Sequence, residues 1–251
     1  MGFQPLPNYN GSRHLPLPKG KYIVGTSDLM TKTVFMRCFY PTAKELTLSD
    51  YYENSDRWPS WLPSLEYADG YMRFKFSSGS SFAARLFRWL ILDPKCPSLH
   101  DAPVLKAERP LPVIVFSHGM GAMRTTYSML LSELASQGYF VAAVEHRDGS
   151  ASSTLTCDGS WMYERKLQPD EDEYSLRNGQ VKQRVQECEM AFGLLAKMGK
   201  KDVSDEEWGA QYKPTDQFIA SADHLDLDNG CYVSGHSFGS ATALRALYTS
   251  K

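Results

Sequence analysis

The sequence predicts an α/β fold with a mostly parallel sheet and helices on both faces. Three observations carry this. Residues 112–117 and 139–144 are short, nearly continuous apolar runs, the pattern of strands buried on both faces. Between them Tyr127, Leu130, Leu131 and Leu134 recur at helical spacing ahead of Gly138, a stop signal. A strand, a helix and a strand in that order fit a right-handed parallel crossover. Residues 231–234 are a third short apolar run, which leads into an Ala- and Leu-rich helix at 240–248. A length of 251 residues suits one large domain, so residues 1–251 are read as a single unit.

The remaining elements follow in chain order. Residues 1–20, rich in Pro, Asn and Gly, read as an irregular arm. It lacks the basic start and apolar core of a secretory leader, and Leu6 stands where a myristoylation motif wants Ser or Thr. Apolar runs at 22–26 and 34–40, separated by a polar turn, read as a β-hairpin closed by Pro41. Residues 41–80 hold Trp58, Trp61, Tyr67, Tyr71 and Phe74 among turn formers and give no assignable element. Residues 81–92 read as an amphipathic helix, with Phe82, Leu86, Trp89 and Leu90 on one stripe and Arg85 and Arg88 opposite. Such a stripe suits either packing on a core, the commoner case, or a lipid headgroup boundary. Four prolines mark residues 93–110 as a loop. Residues 149–178, with the acidic run 170–173, read as a polar surface excursion. A long helix at 181–198 has Val185, Cys188, Met190, Phe192 and Leu195 as its main apolar positions. A polar stretch then carries a short helix near 217–224.

Composition excludes several classes. Twenty-seven Lys and Arg against 29 Asp and Glu give a net charge of −2, which argues against a nucleic-acid binder. No apolar run reaches the ~18 residues of a membrane span. The cysteines, Cys38, Cys96, Cys157, Cys188 and Cys231, form no C-x-x-C pair and none has a His at ligand spacing. They read as reduced thiols of a cytoplasmic protein, and neither a metal nor a cofactor is expected.

The chemistry concentrates at strand ends. Gly235-His236-Ser237-Phe238-Gly239 matches G-x-S-x-G, placed between an apolar strand and a helix as a nucleophile elbow requires. There a serine on a strained turn stands clear of the sheet at a helix N-terminus, and small flanking residues relieve the crowding. Ser117-His118-Gly119-Met120-Gly121 directly follows another strand, where an esterase places one oxyanion-hole amide; the other belongs to the residue after the nucleophile. The expected donors are therefore the amides of Met120 and Phe238. His118 reads as a loop histidine bonded to backbone. Glu145-His146-Arg147-Asp148, with its dense alternating charge, reads as an ion-paired corner.

Residues 113–122, 139–152, 176–181 and 235–239, in that order, resemble the platelet-activating-factor acetylhydrolases, the plasma and type II intracellular group VII phospholipases A2. The resemblance implies an α/β-hydrolase fold and calcium-independent hydrolysis of short or oxidised sn-2 acyl chains on phospholipids. It implies Ser237 as nucleophile, Met120 and Phe238 as oxyanion donors, and a peripheral lipid-surface role for Phe82, Leu86, Trp89 and Leu90. In this fold an Asp or Glu and then a His follow the nucleophile in sequence. No Asp, Glu or His follows Ser237, so the triad acid and base are expected to be absent and the fold to lack its final strands and helices. The six histidines, His14, His100, His118, His146, His224 and His236, offer no convincing replacement. Two other readings stay open: a general carboxylesterase or lipase of the same fold, and a catalytically inactive lipid-binding fragment.

Overall fold

The computed structural model of the chain describes residues 13–42, 53, 55–77, 79–90, 93–209 and 211–249. The first twelve residues of the expected arm, and residues 91–92 of the expected amphipathic helix, lie outside the described residues.

The expected hairpin is formed by strands β1 (Val24–Met30) and β2 (Phe35–Pro41), antiparallel with Val24 opposite Pro41. β1 continues through residues whose polarity reads as a turn, because Asp28 finds its counter-ions inside the protein. Arg37, directly opposite, donates to both carboxylate oxygens at 2.9 and 2.6 Å. Arg124 donates to the same carboxylate at 2.9 Å and to Glu145 at 2.6 Å. Burial alone would raise the Asp28 carboxyl; the two guanidinium charges overcome it and hold it well below the usual carboxylate range.

Strands β3 (Leu99–His100), β4 (Leu111–Ser117), β5 (Phe140–Val144) and β8 (Leu225–Gly235) complete a six-stranded sheet of order β3-β1-β2-β5-β4-β8. β4 pairs in parallel with both β5 and β8, as the crossover reading requires. Successive side chains of these strands face opposite ways and build two cores. Val113, Val115, Ala142 and Val144 meet Cys188 and Leu195 of the long helix on one face. Ile114, Phe116, Val141 and Ala143 meet Leu131 and Ala135 of helix α3 (Ser128–Ser136) on the other. Helices thus cover both faces, and the architecture is of the α/β-hydrolase type.

Three stretches differ from the sequence reading. Residues 41–80 contain helix α1 (Leu65–Phe76), which packs with α2 (Ser81–Leu90) around Leu62, Tyr67, Ala68, Ala84 and Met123. Residues 148–155 are buried rather than a surface excursion, and strands β6 (Ser153–Leu155) and β7 (Trp161–Tyr163) form a second small sheet. The charged group and two of the hydroxyls are partnered, Asp148 and Ser150 by Arg184 and Thr154 by Glu145, whereas the buried Ser152 and Ser153 hydroxyls have no protein partner among the described residues. Helix α4 (Glu173–Gly199) starts eight residues earlier than its apolar pattern, because Asp172 caps it by accepting the Ser175 N–H at 2.8 Å. Gln180, Arg184 and Glu187 occupy its buried face, whereas Met190 is exposed.

Helix α5 (Asp216–Ala220) falls where the short helix is expected. β8 is longer than its apolar run: Asp226 pairs with Pro112 and Cys231 with Val113, and the intervening excursion is closed by the Asn229 N–H on Asp226. Its outer edge has no strand partner among the described residues. Helix α6 (Phe238–Thr249) follows, with Leu244, Leu247 and Tyr248 exposed. No described helix is long and apolar enough to cross a membrane.

Arg124 is the shared counter-ion of two buried carboxylates. Replacing it (Arg124→Met) strands Glu145 and half-strips Asp28, and is expected to destabilise the protein by about 3–5 kcal/mol. Urea unfolding measures it; a loss below about 1 kcal/mol, the size of a surface pair, would contradict this account.

Candidate active site

β4 and β8 are parallel neighbours with Ser117 opposite Gly235, so the loops leaving their carboxyl ends lie side by side. The elbow is built from backbone proximity. A Cβ added to Gly235 would lie 2.3 Å from the Gly239 carbonyl oxygen, and one on Gly239 would lie 2.0 Å from the Ser117 carbonyl oxygen. Neither position can hold a side chain. Ser237, between them, has φ +56°, a left-handed conformation that costs a non-glycine residue about 1 kcal/mol or more. The turn is closed by the Gly239 N–H on the His236 carbonyl and the Ser240 N–H on the Ser237 carbonyl, both at 2.9 Å. Ser237 is exposed at the N-terminus of α6, where the helix dipole favours developing negative charge.

The loop after β4 reaches this turn. A Cβ on Gly119 would lie 3.4 Å from Ser237 Cβ. Gly121 has φ +71°, and its N–H donates to the Ser150 carbonyl at 2.8 Å. Among the described residues neither the Met120 nor the Phe238 N–H donates to a protein acceptor. An apolar cavity of about 670 Å³ opens beside Met120, walled by Tyr71, Phe74, Phe76, Phe87 and Tyr127.

Beneath the loops lies a buried polar network that carries the Glu145–Asp148 corner. Arg184 Nη1 donates to the His118 carbonyl at 2.6 Å, Nε to Asp148 at 2.8 Å and Nη2 to Ser150 Oγ at 2.5 Å. Its guanidinium also lies 4.7 Å from the centre of the Phe238 ring. The His146 amide donates to His118 Nε2 at 3.2 Å, so His118 Nδ1–H donates to the Gly119 carbonyl at 2.7 Å. Both nitrogens of His118 are thus engaged with backbone, as expected.

His146 lies 2.6 Å from Glu187 Oε2 through Nδ1 and 2.7 Å from Ser117 Oγ through Nε2. Burial, reinforced by Arg184, holds its imidazole well below the usual histidine range, and burial raises the Glu187 carboxyl. The short His146–Glu187 contact is therefore a hydrogen bond of a neutral imidazole rather than an ion pair. Ser117, His146 and Glu187 copy the connectivity of a catalytic triad. Ser117, however, is fully buried at the end of β4, and no substrate reaches it. The array supports the loop above it.

Among the described residues no histidine is hydrogen-bonded to Ser237. His236 instead bonds Tyr127 through Nδ1 at 2.9 Å. No group of three His, Cys, Asp or Glu among the described residues is placed to hold a metal ion. Sequence reading missed Arg184, Glu187, Ser117 and Tyr127. The available signal was Gln180, Arg184 and Glu187 at i, i+4 and i+7, a polar stripe along the face that also carries Val181, Val185 and Cys188.

His118 and His146 are both buried and both resist protonation when folded, against an ordinary value of 6.5. Below that pH the unfolded chain binds more protons than the folded one, so stability falls as pH falls through 6.5. The expected slope is about 1.4 kcal/mol per pH unit for each histidine. Urea midpoints measured from pH 7.5 to 5 check this; a constant midpoint across that range would refute it.

The sequence profile of the family described as platelet-activating factor acetylhydrolase, isoform II, matches residues 8–251. The chain is 34% identical over 259 residues to the Gallus gallus platelet-activating factor acetylhydrolase, covering 93% of this chain and 56% of the relative. The Canis lupus familiaris protein of that name is also 34% identical, over 250 residues, covering 93% of this chain and 52% of its own length. A putative phospholipase A2 of Schizosaccharomyces pombe is 28% identical over 280 residues, covering 94% and 58%. The chain thus spans a little over half the length of the curated relatives it matches. A ferulic acid esterase from Streptomyces cinnamoneus shares the fold, with a TM-score of 0.59 at 18% identity over 94% of this chain and 58% of that one. The match of the profile to nearly the whole sequence shows that the chain belongs to the platelet-activating factor acetylhydrolase isoform II family.

Proposed function

We propose that the chain carries the nucleophile and oxyanion hole for hydrolysing the short sn-2 acyl ester, acetyl above all, of platelet-activating factor and related phospholipids. The observation that carries this reading is Ser237 in a left-handed elbow conformation against the Gly119–Gly121 loop. Ser237 Oγ attacks the ester carbonyl carbon, and the carbonyl oxygen, now an oxyanion, accepts hydrogen bonds from the Met120 and Phe238 amides. The Ser237 hydroxyl proton passes to water on attack. The intermediate then collapses with cleavage of the ester C–O bond, the lysophospholipid oxygen takes a proton from water as it leaves, and a second water cleaves the acyl-enzyme to the free acid and the restored hydroxyl. Two amides meet the negative charge, so the scheme needs no calcium. The apolar cavity beside Met120 suits a hydrocarbon part of the substrate.

No residue of this chain is assigned as triad acid or base. His118 and His146 are buried with their nitrogens occupied, and His236 is held by Tyr127. These 251 residues on their own are expected to turn over slowly, with residual catalysis of ~10³-fold over water from the oxyanion hole and binding. The absence of a histidine on Ser237 among the described residues favours a second reading, an inactive lipid-binding unit. A general carboxylesterase or lipase differs from both in lacking short-chain selectivity.

Lipid contact is assigned to α2, where Phe82 is 76%, Leu86 44%, Trp89 68% and Leu90 61% exposed. Arg85, expected opposite the apolar stripe, is instead exposed near Trp89 because the two are one helical turn apart, a cation beside an aromatic as an anionic headgroup boundary favours. The five cysteines stand free, which suits peripheral attachment from the cytoplasmic side.

Slow labelling by a short alkyl fluorophosphonate, with and without EDTA, tests the nucleophile. Labelling at Ser237, lost in Ser237→Ala and unaffected by EDTA, is expected. Vesicle co-sedimentation without labelling would instead establish the inactive lipid-binding unit, and equal cleavage of acetyl and long-chain sn-2 esters would establish a general lipase. On phospholipid vesicles Trp89→Ala should weaken binding about tenfold or more, the amount expected for withdrawing one large apolar side chain from the interface. Unchanged co-sedimentation of that variant would remove α2 from the lipid-contact assignment.

A further inference from the structure

Tyr127, at the start of α3, touches both arms of the site through one oxygen. The Gly119 N–H, from the loop that carries Met120, donates to Tyr127 Oη at 3.3 Å. The same oxygen lies 2.9 Å from Nδ1 of His236, the neighbour of Ser237 in the elbow. A phenol oxygen that accepts from an amide still has its own proton to give, and we assign the Tyr127 O–H as the donor to His236 Nδ1, the direction that the tautomer measurement below tests. The neutral His236 ring then carries its proton on Nε2. The two rings pack at a centroid distance of 5.4 Å, and the Tyr127 ring rests on Phe116 of β4 at 5.1 Å. A Cβ on Gly119 would lie 2.9 Å from the hydroxyl, so a bare glycine is what lets the loop come this close.

The anchors of the two arms differ. Arg184 and the Ser150 carbonyl hold the Met120 loop from the side of α4 and the strand corner. The elbow is held by its own turn bonds at the head of α6. Besides the sheet ladder and the Arg184 guanidinium on the Phe238 ring, the hydrogen bonds that join them among the described residues are the His236 N–H on the Ser117 carbonyl at 3.3 Å, deep at the base, and those of the Tyr127 hydroxyl further out, at Gly119.

We propose that Tyr127 is a positioning residue: its hydroxyl ties the Met120 loop to the elbow and so sets the spacing of the Met120 and Phe238 amides about Ser237. This rests on the reading of Ser237 as nucleophile and of those amides as oxyanion donors.

Tyr127→Phe tests it, because that change removes one oxygen and keeps the ring on Phe116. The 251-residue chain is labelled with a short alkyl fluorophosphonate, and the His236 ring nitrogens are followed by ¹⁵N NMR. In the wild type, Ser237 is labelled and His236 shows a single Nε2–H tautomer. In Tyr127→Phe, labelling slows about tenfold, the scale of one well-placed hydrogen bond, and His236 becomes a mixture of tautomers. Wild-type labelling that Tyr127→Phe leaves within about twofold overturns the tie and leaves the nucleophile standing. Slowed labelling with an unchanged His236 tautomer also overturns it, since the bond would not be the cause. If the wild type is labelled no faster than Ser237→Ala, the nucleophile reading fails and the proposed tie fails with it.

Discussion

The guanidinium of Arg184, inaccessible to solvent, is shared by the main parts of the candidate site. It holds the corner at the end of β5 through Asp148 and Ser150 and the loop after β4 through the His118 carbonyl. It lies against the ring of Phe238, the residue after Ser237. A planar fork with five fixed donors can serve divergent acceptors at once, which a lysine at the same place could not. The loop it holds at His118 is pinned again at Gly121, by the Ser150 carbonyl. Between those two pins sits Met120, whose amide is left without a protein partner among the described residues. The rigidity of a three-residue stretch of backbone thus derives from a charge buried on a neighbouring helix.

Burying that much polarity is costly unless each group is matched. The chain matches most of these groups in two networks, with Arg37 Nη1 and Arg124 Nη2 of the first left without a hydrogen-bond partner among the described residues. One joins Asp28, Arg37, Arg124, Glu145, Tyr67 and Thr154 and fixes the hairpin β1–β2 to the end of β5. The other joins Ser117, His146, Glu187, Arg184, Asp148 and Ser150 beneath the loops. The tetrad Glu145–Asp148 feeds both, with Glu145 facing the first and His146 and Asp148 the second. This explains why Glu145, His146 and Asp148 can follow a buried strand without reaching solvent; Arg147, half-buried, instead donates to the Leu155, Thr31 and Lys32 carbonyls.

Above these networks the surface turns apolar. The cavity beside Met120 is walled by α1 side chains and by Phe87 of α2, and the outer side of α2 exposes Phe82, Leu86, Trp89 and Leu90. One short helix therefore contributes to the wall of the cavity with one face and meets the outside with another. On the proposed function, the hydrocarbon chains of a lipid substrate would meet apolar side chains both on the outer side of α2 and in the cavity beside Met120.

Much of the architecture was legible in the residues. Apolar runs marked β4 and β5, because strands buried on both faces leave no room for polar alternation. The short run at 231–234 marked the second half of β8 as well, although Tyr232 and Ser234 are exposed there. The G-x-S-x-G pattern located the elbow, because only small residues fit where Gly235, Gly239 and the Ser117 carbonyl crowd together. Tertiary structure decided the rest. Asp28 extends β1 because of arginines nine and 96 residues away. The buried stretch 148–155 looks like surface until Arg184 and Glu145 are brought to it, and α4 hides its most consequential side chains, Arg184 and Glu187, among positions that periodicity reads as solvated. Apolar patterning reports which way a side chain faces only when its burial needs no partner. A buried charge is legible only from the group that neutralises it, and that group is placed by the fold.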